Sequence, residues 1–330
     1  MLNAHNVLQR AKQSAFANAD ATATAKLQSV GSFALTPDIQ TRALDQLRGT
    51  LAPTHQTALD FYMSNATFEV PDETFEDINY WFDSLFSAAT PTGEGPYVRA
   101  YAAPLTAEAA PDFMTLQWGQ TGEVWQMQDA SPTTLTMSGT NNSGIQVGGS
   151  LIGGQVQEGS LEALSDRTSL TRVTGCMASL AIDAWGGTMG ATEVASSGFS
   201  WELTVNANRE YRGYLGDCTP TVWHDQKWTG QLRLSLELNN TTDDYLIAML
   251  AAGGSAILER QVEITYTNGA AGADLRTLEL QFAGHSMVAP QLFQDRNGVT
   301  TYDLVLEGVY NPDLANWLKI NTTSGIETLV

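Results

Sequence analysis

The feature that most constrains the fold is an alternation of apolar and polar side chains in short segments. In residues 232–238, leucines occupy every second position, with Arg233, Ser235 and Glu237 between them. Residues 277–282 (TLELQF) alternate in the same way. Successive side chains of a strand point to opposite faces, so these segments predict antiparallel sheets with one buried and one hydrated face.

Two segments have helical spacing instead. Residues 72–88 place apolar side chains three and four positions apart, with Asp72 as the predicted N-cap. Residues 241–254 begin with Asp243 and Asp244 and end at glycine. The sequence therefore predicts a mainly β protein, built from two tandem antiparallel β-sandwich or barrel modules that each carry one flanking α-helix.

The two halves of the chain repeat the same order of segments. Phe33 matches Trp201 and residues 68–70 match residues 236–238, both at a separation of 168 residues (33 to 201, 68 to 236). This order predicts an internal duplication. The predicted units are an N-terminal arm (1–30), a first module (31–195) and a second module (196–330). The arm is rich in alanine and weakly patterned, so we expect it to order mainly when it meets a partner.

The charge balance excludes a conventional nucleic-acid-binding surface. The chain has 36 acidic residues against 16 lysines and arginines, a formal net charge of −20, and such a surface repels phosphate. It still suits a wall that DNA passes without adhering. No segment has the roughly 18 to 20 apolar residues of a membrane span, and no signal peptide is recognisable. We therefore expect folding in a cytosol, with no membrane partner.

The residue types of common catalytic and metal sites do not occur at the required spacings. Cys176 and Cys218 are too few for a disulfide scaffold. His224 and Asp225 could form a polar relay, but a loop histidine beside an acid is the more common arrangement. The glycines of residues 148–154 lack the Lys-Ser/Thr of a phosphate loop and indicate close backbone approach. The sequence predicts no cofactor, no metal and no enzymatic activity.

Taken in order, the segments resemble the tail tube (major tail) proteins of long-tailed bacteriophages. Residues 8–37 (LQRAKQSAFANADATATAKLQSVGSFALTP) resemble the N-terminal segment of that family. Residues 200–221 (SWELTVNANREYRGYLGDCTPT) resemble its central element, followed by the strand WTGQLRLSLEL. The closing segments 278–284 and 297–312 also fit. The chain departs from simpler tube proteins in having two modules rather than one.

The resemblance implies a virion structural protein. Copies would form rings whose sheets join into one inner barrel, and stacked rings would conduct DNA during ejection without binding it specifically. Two modules per chain imply a homotrimeric, pseudo-hexameric ring, with a hexamer of chains left open. The implied further partners are the tail tape measure protein and the tail terminator and distal tail proteins. The implied location is the virion tail, assembled in the host cytoplasm.

The resemblance also implies roles for particular residues. The acidic residues of the hydrated faces would line the channel, namely Glu69, Glu202, Glu237, Glu279, Asp303 and Glu307. An acidic lining keeps DNA phosphates from adhering, and a nearby glutamate would neutralise Arg233. Loops at about 38–57 and 208–227 would make contacts between rings, through Arg42, Arg48, Arg209, Arg212 and His224.

Two other classes of protein remain open. One is a secreted carbohydrate-binding or adhesin β-sandwich protein, which would present an aromatic platform. Candidates for the platform are Trp118, Trp125, Trp185, Trp201, Trp223 and Trp228. The other is a hydrolase on a β scaffold, which would need polar groups converging in a pocket.

Overall fold

The computed structural model describes residues 6–18, 21–44, 56–194, 198–239, 242, 244–245, 247, 258–286, 294–296 and 298–329. This part of the chain is mainly β and its strands pair antiparallel. The strands are β1 (Val7–Lys12), β2 (Ala25–Lys26), β3 (Ser32–Leu44), β4 (Gln56–Val70), β5 (Tyr97–Ala102), β6 (Met114–Gln120), β7 (Glu123–Thr140), β8 (Gln146–Gly153), β9 (Val156–Glu158), β10 (Ala178–Ala184), β11 (Gly198–Asn206), β12 (Arg209–Arg212), β13 (Val222–Asp225), β14 (Thr229–Glu237), β15 (Leu258–Thr267), β16 (Thr277–Ser286), β17 (Gln294–Arg296), β18 (Val299–Gly308) and β19 (Leu318–Ser324).

The strands form three packed layers. The first sheet has the order β3-β4-β8-β7-β11-β14-β18-β17, and the second sheet has the order β10-β15-β16-β19-β5. The side sheet, β2-β1-β6-β7-β9, shares the long strand β7 with the first sheet. Leu234 of the first sheet, Leu280 of the second and Leu116 of the side sheet belong to one apolar core. The predicted β-sandwich architecture is confirmed.

The helix α1 (Ile78–Leu85) is shorter and more deeply buried than the sequence predicts. It begins six residues after Asp72, which instead lies 3.6 Å from Arg172. All eight residues are buried, so the expected single apolar stripe is wrong. Phe68 of the first sheet stacks on Trp81 with the ring centroids 3.9 Å apart, while β5 and β19 cover the opposite side through polar contacts. The second predicted helix, 241–254, lies mostly outside the described residues.

The segment predicted to be an arm is folded onto the body in its described part. Strand β1 pairs with β6 along its whole length, and β2 pairs with β1. Leu8, Ala11 and Leu27 are buried. The expectation that this segment waits for a partner is wrong for these residues, because strand pairing buries side chains that are small and weakly patterned in the sequence.

Strand pairings recur in the same order in the two halves of the chain. The corresponding pairs are β1–β6 with β10–β15, β3–β4 with β11–β14, β4–β8 with β14–β18, β6–β7 with β15–β16, β7–β8 with β16–β18, and β7–β9 with β16–β19. The predicted boundary at residue 195 does not follow these pairings, because β10 pairs with the second half. The correspondence supports the predicted duplication, which stays a prediction.

The registers refine the match between the halves. Phe33 lies opposite Phe68, whereas Trp201 lies opposite Leu234. The separation is therefore 168 residues on the first strand (33 to 201) but 166 on the second (68 to 234). The single separation of 168 is wrong by two residues on the second strand. Gly149 of β8 corresponds to residue 304 of β18, opposite Phe68 and Leu234 respectively.

Glycine allows the close approach of β7 and β8 that this arrangement needs. A Cβ added to Gly149 would lie 2.2 Å from the carbonyl oxygen of Thr134, which no side chain tolerates. The glycines at 148–154 therefore serve backbone packing, as the sequence indicates.

Candidate assembly surfaces

The first sheet has a continuous hydrated face made mostly of short polar side chains. One cross-strand row of this face runs over six strands and comprises Glu69, Gly148, Thr136, Thr204, Gln231 and Glu307. Other positions on the same face are Thr67, Ser150, Thr134, Ser138, Ser200 and Ser235. Hydroxyl and amide groups thus dominate, with a small number of charges between them.

Five of the six residues predicted to line a channel lie together on this face. They are Glu69 on β4, Glu202 on β11, Glu237 on β14, and Asp303 and Glu307 on β18. Glu279 does not, because β16 belongs to the second sheet and Glu279 points away from the core there, beside Thr265 and Asn321. The segment TLELQF alternates like the strands of the first sheet, and alternation alone does not distinguish between two sheets.

Asp303 is not a free acid on the hydrated face. Nη2 of Arg233 donates to Oδ2 of Asp303 at 2.5 Å, and Nε2 of Gln294 donates to the same oxygen at 3.2 Å. The side chain of Asp303 is 11% exposed and that of Arg233 is 55% exposed. This hydrogen bond, with the carboxylate charge, raises the pKa of Arg233. The expected neutralisation of Arg233 thus comes from Asp303 rather than from a glutamate.

The first sheet joins the two halves and leaves an edge strand at each end. In its middle, residues 134–140 of β7 pair with residues 200–206 of β11. At one end, β3 pairs with β4 alone among the described strands. At the other end, β17 pairs with β18 alone among them. A strand edge without a partner is a template for pairing with another chain.

The residues predicted to connect rings lie in different environments. Arg42 is exposed on β3 and lies 3.5 Å from Asp60. Arg212 is exposed and paired with Glu210, and His224 is about half exposed with Nδ1 3.1 Å from Oε1 of Glu108. Arg48 lies outside the described residues. The two predicted loops also touch each other within the chain, since the backbone N–H of Tyr62 donates to the carbonyl of Cys218 at 2.8 Å.

Arg209 is wrong as a contact between rings, because its side chain is buried inside this chain. Its guanidinium donates to both carboxylate oxygens of Asp225, at 2.7 and 3.0 Å. It also donates to the carbonyls of Ser84 and Leu85, at 3.2 and 3.1 Å, and so caps the C-terminal end of α1. Asp225 is occupied by this ion pair, which excludes the relay with His224 considered from the sequence.

Sequence reasoning missed a buried cluster of charges at the other end of α1. Arg167 pairs with Asp77, and Nε of Arg276 donates to Oε1 of Glu76 at 2.9 Å. Glu73 is fully buried, and desolvation, followed by the charge of Asp77, raises the pKa of Glu73 to about 8. The acidic residues before the helix were interpreted as a solvated first turn, so only their unusual density could have indicated the cluster.

Arg10 completes this cluster without an ion pair. It is fully buried, and its guanidinium carbon lies 4.4 Å from the ring centroid of Tyr80. Within the described residues, its three side-chain nitrogens have no hydrogen-bond partner. Burial lowers the pKa of Arg10, because desolvation disfavours the charged form.

The tryptophans form at most a small exposed aromatic surface. Trp118 and Trp125 are cross-strand neighbours, and Trp125 is 50% exposed. With Leu35, Pro37, Tyr62 and Val156 they line a groove of about 310 Å³. Trp201 and Trp228, in contrast, are buried.

Features of other functional classes were sought in the described part of the chain. No group of three or more His, Cys, Asp or Glu residues there could hold a metal ion. No described helix is long and apolar enough to cross a membrane. Compared with known proteins, the chain matches no family model and has no significant match among curated proteins.

Proposed function

We propose that this protein is the structural subunit of a bacteriophage tail tube. Copies join their first sheets edge to edge into a closed ring, with the hydrated face turned inward. Rings stack into a tube through which DNA passes without specific binding. The observation that carries the proposal is the β7–β11 junction, where two halves with matching pairings already share one sheet.

The junction within the chain is the template for the junction between chains. By strand correspondence, β3 is the counterpart of β11, and β17 is the counterpart of the last residues of β7. Ser138 lies opposite Glu202 at the existing junction. The equivalent positions on the edge strands are Gln294 of β17 and Ala34 of β3, so we expect these two to face each other between copies.

This contact is heterologous, because each copy uses two different edges. Heterologous contacts form rings when the rotation closes. Three chains, each with two equivalent halves, make a pseudo-hexameric ring. The tape measure protein and the tail terminator and distal tail proteins are the proposed further partners in the virion tail.

The hydrated face has the chemistry of a non-adhesive channel. Its unpaired charges of known position are Glu69, Glu202, Glu237 and Glu307, while Arg233 is neutralised by Asp303. Each cation that contacts DNA adds an attraction to phosphate. A lining of hydroxyls, amides and acids therefore lets the polymer slide.

Cross-linking tests the ring. In a Cys176→Ser/Cys218→Ser background, Ala34→Cys with Gln294→Cys should form disulfides between copies, giving covalent trimers after denaturation, since facing residues meet the Cβ geometry. The matched control is Ala34→Cys with Asp295→Cys, which is one residue out of register. Rings seen by electron microscopy without these trimers contradict the β3–β17 junction, and filament-free monomers contradict the tube.

Charge reversal tests the channel. Replacing Glu69, Glu202, Glu237 and Glu307 by Lys should leave assembly intact and slow DNA ejection from phage carrying the variant. Glu279→Lys is the matched control, because it lies on the other sheet and should not change ejection. Normal ejection by the fourfold variant contradicts the channel assignment.

A carbohydrate-binding protein is the second candidate, favoured by the exposed Trp125 beside Trp118. Aromatic side chains offer large flat apolar faces to a ligand. In this case the protein stays monomeric, binds a glycan array, and loses binding on Trp125→Ala.

A further inference from the structure

Two hairpins occupy equivalent positions in the two halves but have opposite surroundings. The β12–β13 hairpin of the second half is docked on the first half. The outer part of the β3–β4 hairpin, residues 39–43 and 57–61, is largely exposed. Ile39 and Leu59 are 55% and 50% exposed.

The docked hairpin shows what such a segment contacts. Tyr211 and Trp223 pack in a separate apolar cluster with Phe113 and Ile152, and Met63 lies against the cluster. The hydroxyl of Tyr211 donates to the carbonyl of Asp129. Arg209 contacts Ser131 as well as the end of α1. Thus the hairpin of one half closes the surface of the half beside it.

The registers of the two hairpins coincide residue by residue. Both shift by one residue at the same place, after which Thr41 lies opposite Leu59, and Arg209 lies opposite Asp225. These pairs are separated by the 168 and 166 residues that relate the rest of the two strands.

The next pair outward identifies the face. Ala43 and Thr57 are opposite each other, as Tyr211 and Trp223 are. The face with Ile39, Thr41 and Leu59 is therefore the counterpart of the face that the second half buries. In a single chain, this counterpart has no neighbouring half to cover.

We propose that the β3–β4 hairpin of one copy docks, through the face with Ile39 and Leu59, onto the second half of the neighbouring copy. This inference rests on the proposed function, which brings β3 of one copy beside β17 of the next. The receiving surface includes Thr229, His285 and Glu307. Glu307 lies opposite His285 as Ile152 lies opposite Ser131, and Thr229 is the counterpart of Met63.

Charge explains why this face meets a second copy. Two chains of net charge −20 repel each other. The face in question carries Ile39, Thr41, Ala43, Thr57 and Leu59, none of which is charged. The docked hairpin buries an ion pair at the position of Thr41 and Leu59. A contact between separately folded copies that lacks such a pair desolvates no charge.

A mixed cross-linking experiment tests the docking. Two proteins are prepared without native cysteines, one with Thr41→Cys and one with His285→Cys, and are distinguished by mass tags. A bis-maleimide about as long as an arginine side chain should join the two proteins to each other when they assemble, because Arg209 bridges the equivalent distance to Ser131. The matched control is Arg42→Cys, on the opposite face of the same strand, which should not react with His285→Cys.

The outcomes separate this inference from the proposed function. Cross-links of Thr41→Cys to His285→Cys support the docking. If the Ala34–Gln294 disulfide forms but this cross-link does not, the docking is overturned and the ring stands. Cross-links between two Thr41→Cys copies overturn it as well, because they require a self-complementary contact. If neither the disulfide nor the cross-link forms, both proposals fail.

A second pair of variants measures the contact without chemistry. Ile39→Asp with Leu59→Asp should raise the protein concentration needed for assembly about tenfold or more, since both apolar side chains become charged at the contact. Gln40→Asp on the opposite face should change it less than about twofold. Both proteins should unfold at the wild-type temperature, because all three positions are exposed. An equal effect of the two variants overturns the proposed face.

Discussion

The charges around α1 and those on the hydrated face use the same residue types with opposite consequences. At α1, Asp77, Glu76 and Asp225 are buried, and each is matched to an arginine from a distant part of the chain. On the hydrated face, Glu69 and Glu202 are exposed. Removing one partner of a buried pair leaves an uncompensated charge, whereas a solvated charge costs little to remove. Stability therefore resides around the helix, which leaves the hydrated face free to serve passage.

The largest effect is expected for Arg209→Met. The variant leaves Asp225, whose side chain is 2% exposed, without its partner and uncaps α1. The expected loss is about 3–5 kcal/mol in the free energy of unfolding, measured by urea denaturation. Arg209→Met with Asp225→Leu should recover much of this loss, because no charge is then left buried. A loss below about 1 kcal/mol for the single variant would contradict the comparison.

Glu73→Gln should stabilise the protein, and increasingly so as pH rises. An unfolded glutamate loses its proton near pH 4.5, whereas folded Glu73 keeps it up to about pH 8, next to Asp77, Trp81 and Arg167. Folding therefore becomes less favourable across that interval, by up to about 1.4 kcal/mol per pH unit. The variant lacks this slope. Urea unfolding at pH 5.5 and 7.5 checks it, and parallel pH profiles would show that Glu73 titrates normally.

Arg10→Met removes a buried cation that no described residue pairs with. We expect a gain of about 1 kcal/mol, since the relief of desolvation outweighs the contact with Tyr80. Thermal unfolding measures it, with Arg99→Met as the control: Arg99 is equally buried but donates to Ser324 and Glu327, so its loss should destabilise. Destabilisation by Arg10→Met would show that the cation–π contact dominates.

The smallest effect is expected for Glu202→Gln on the hydrated face. The free energy of unfolding should change by less than about 0.5 kcal/mol, as measured by urea denaturation at neutral pH. A larger change would mean that the face contributes to stability and would weaken the contrast with the helix.

Alternation in the sequence was sufficient to predict the hydrated face. It correctly placed Glu202, Glu237 and Glu307 on the polar side of strands that share a sheet. It did not assign Glu279 to the other sheet, because a period of two reports the buried side of a strand and not its neighbours. The two halves were recognisable from the order of their segments, although a two-residue difference in register was not.

Long-range burial was beyond sequence reasoning. Arg209 looks like a loop residue until β12 and β13 are docked against α1 and β7, which are far away in sequence. The apolar spacing of α1 indicates at least one covered face, but the number of layers around a helix depends on tertiary packing. The strand β1 escaped notice because alanine and glutamine give little strand signal.

The ion pairs have an electrolyte consequence for a polymer of this chain. Nine lysines and arginines are engaged in ion pairs with its own acids, so few cations remain to face another copy. A filament of such subunits concentrates mobile cations from the buffer along its length. Its growth should accelerate with added salt and stall on dialysis against water, as screening lengths shorten or extend.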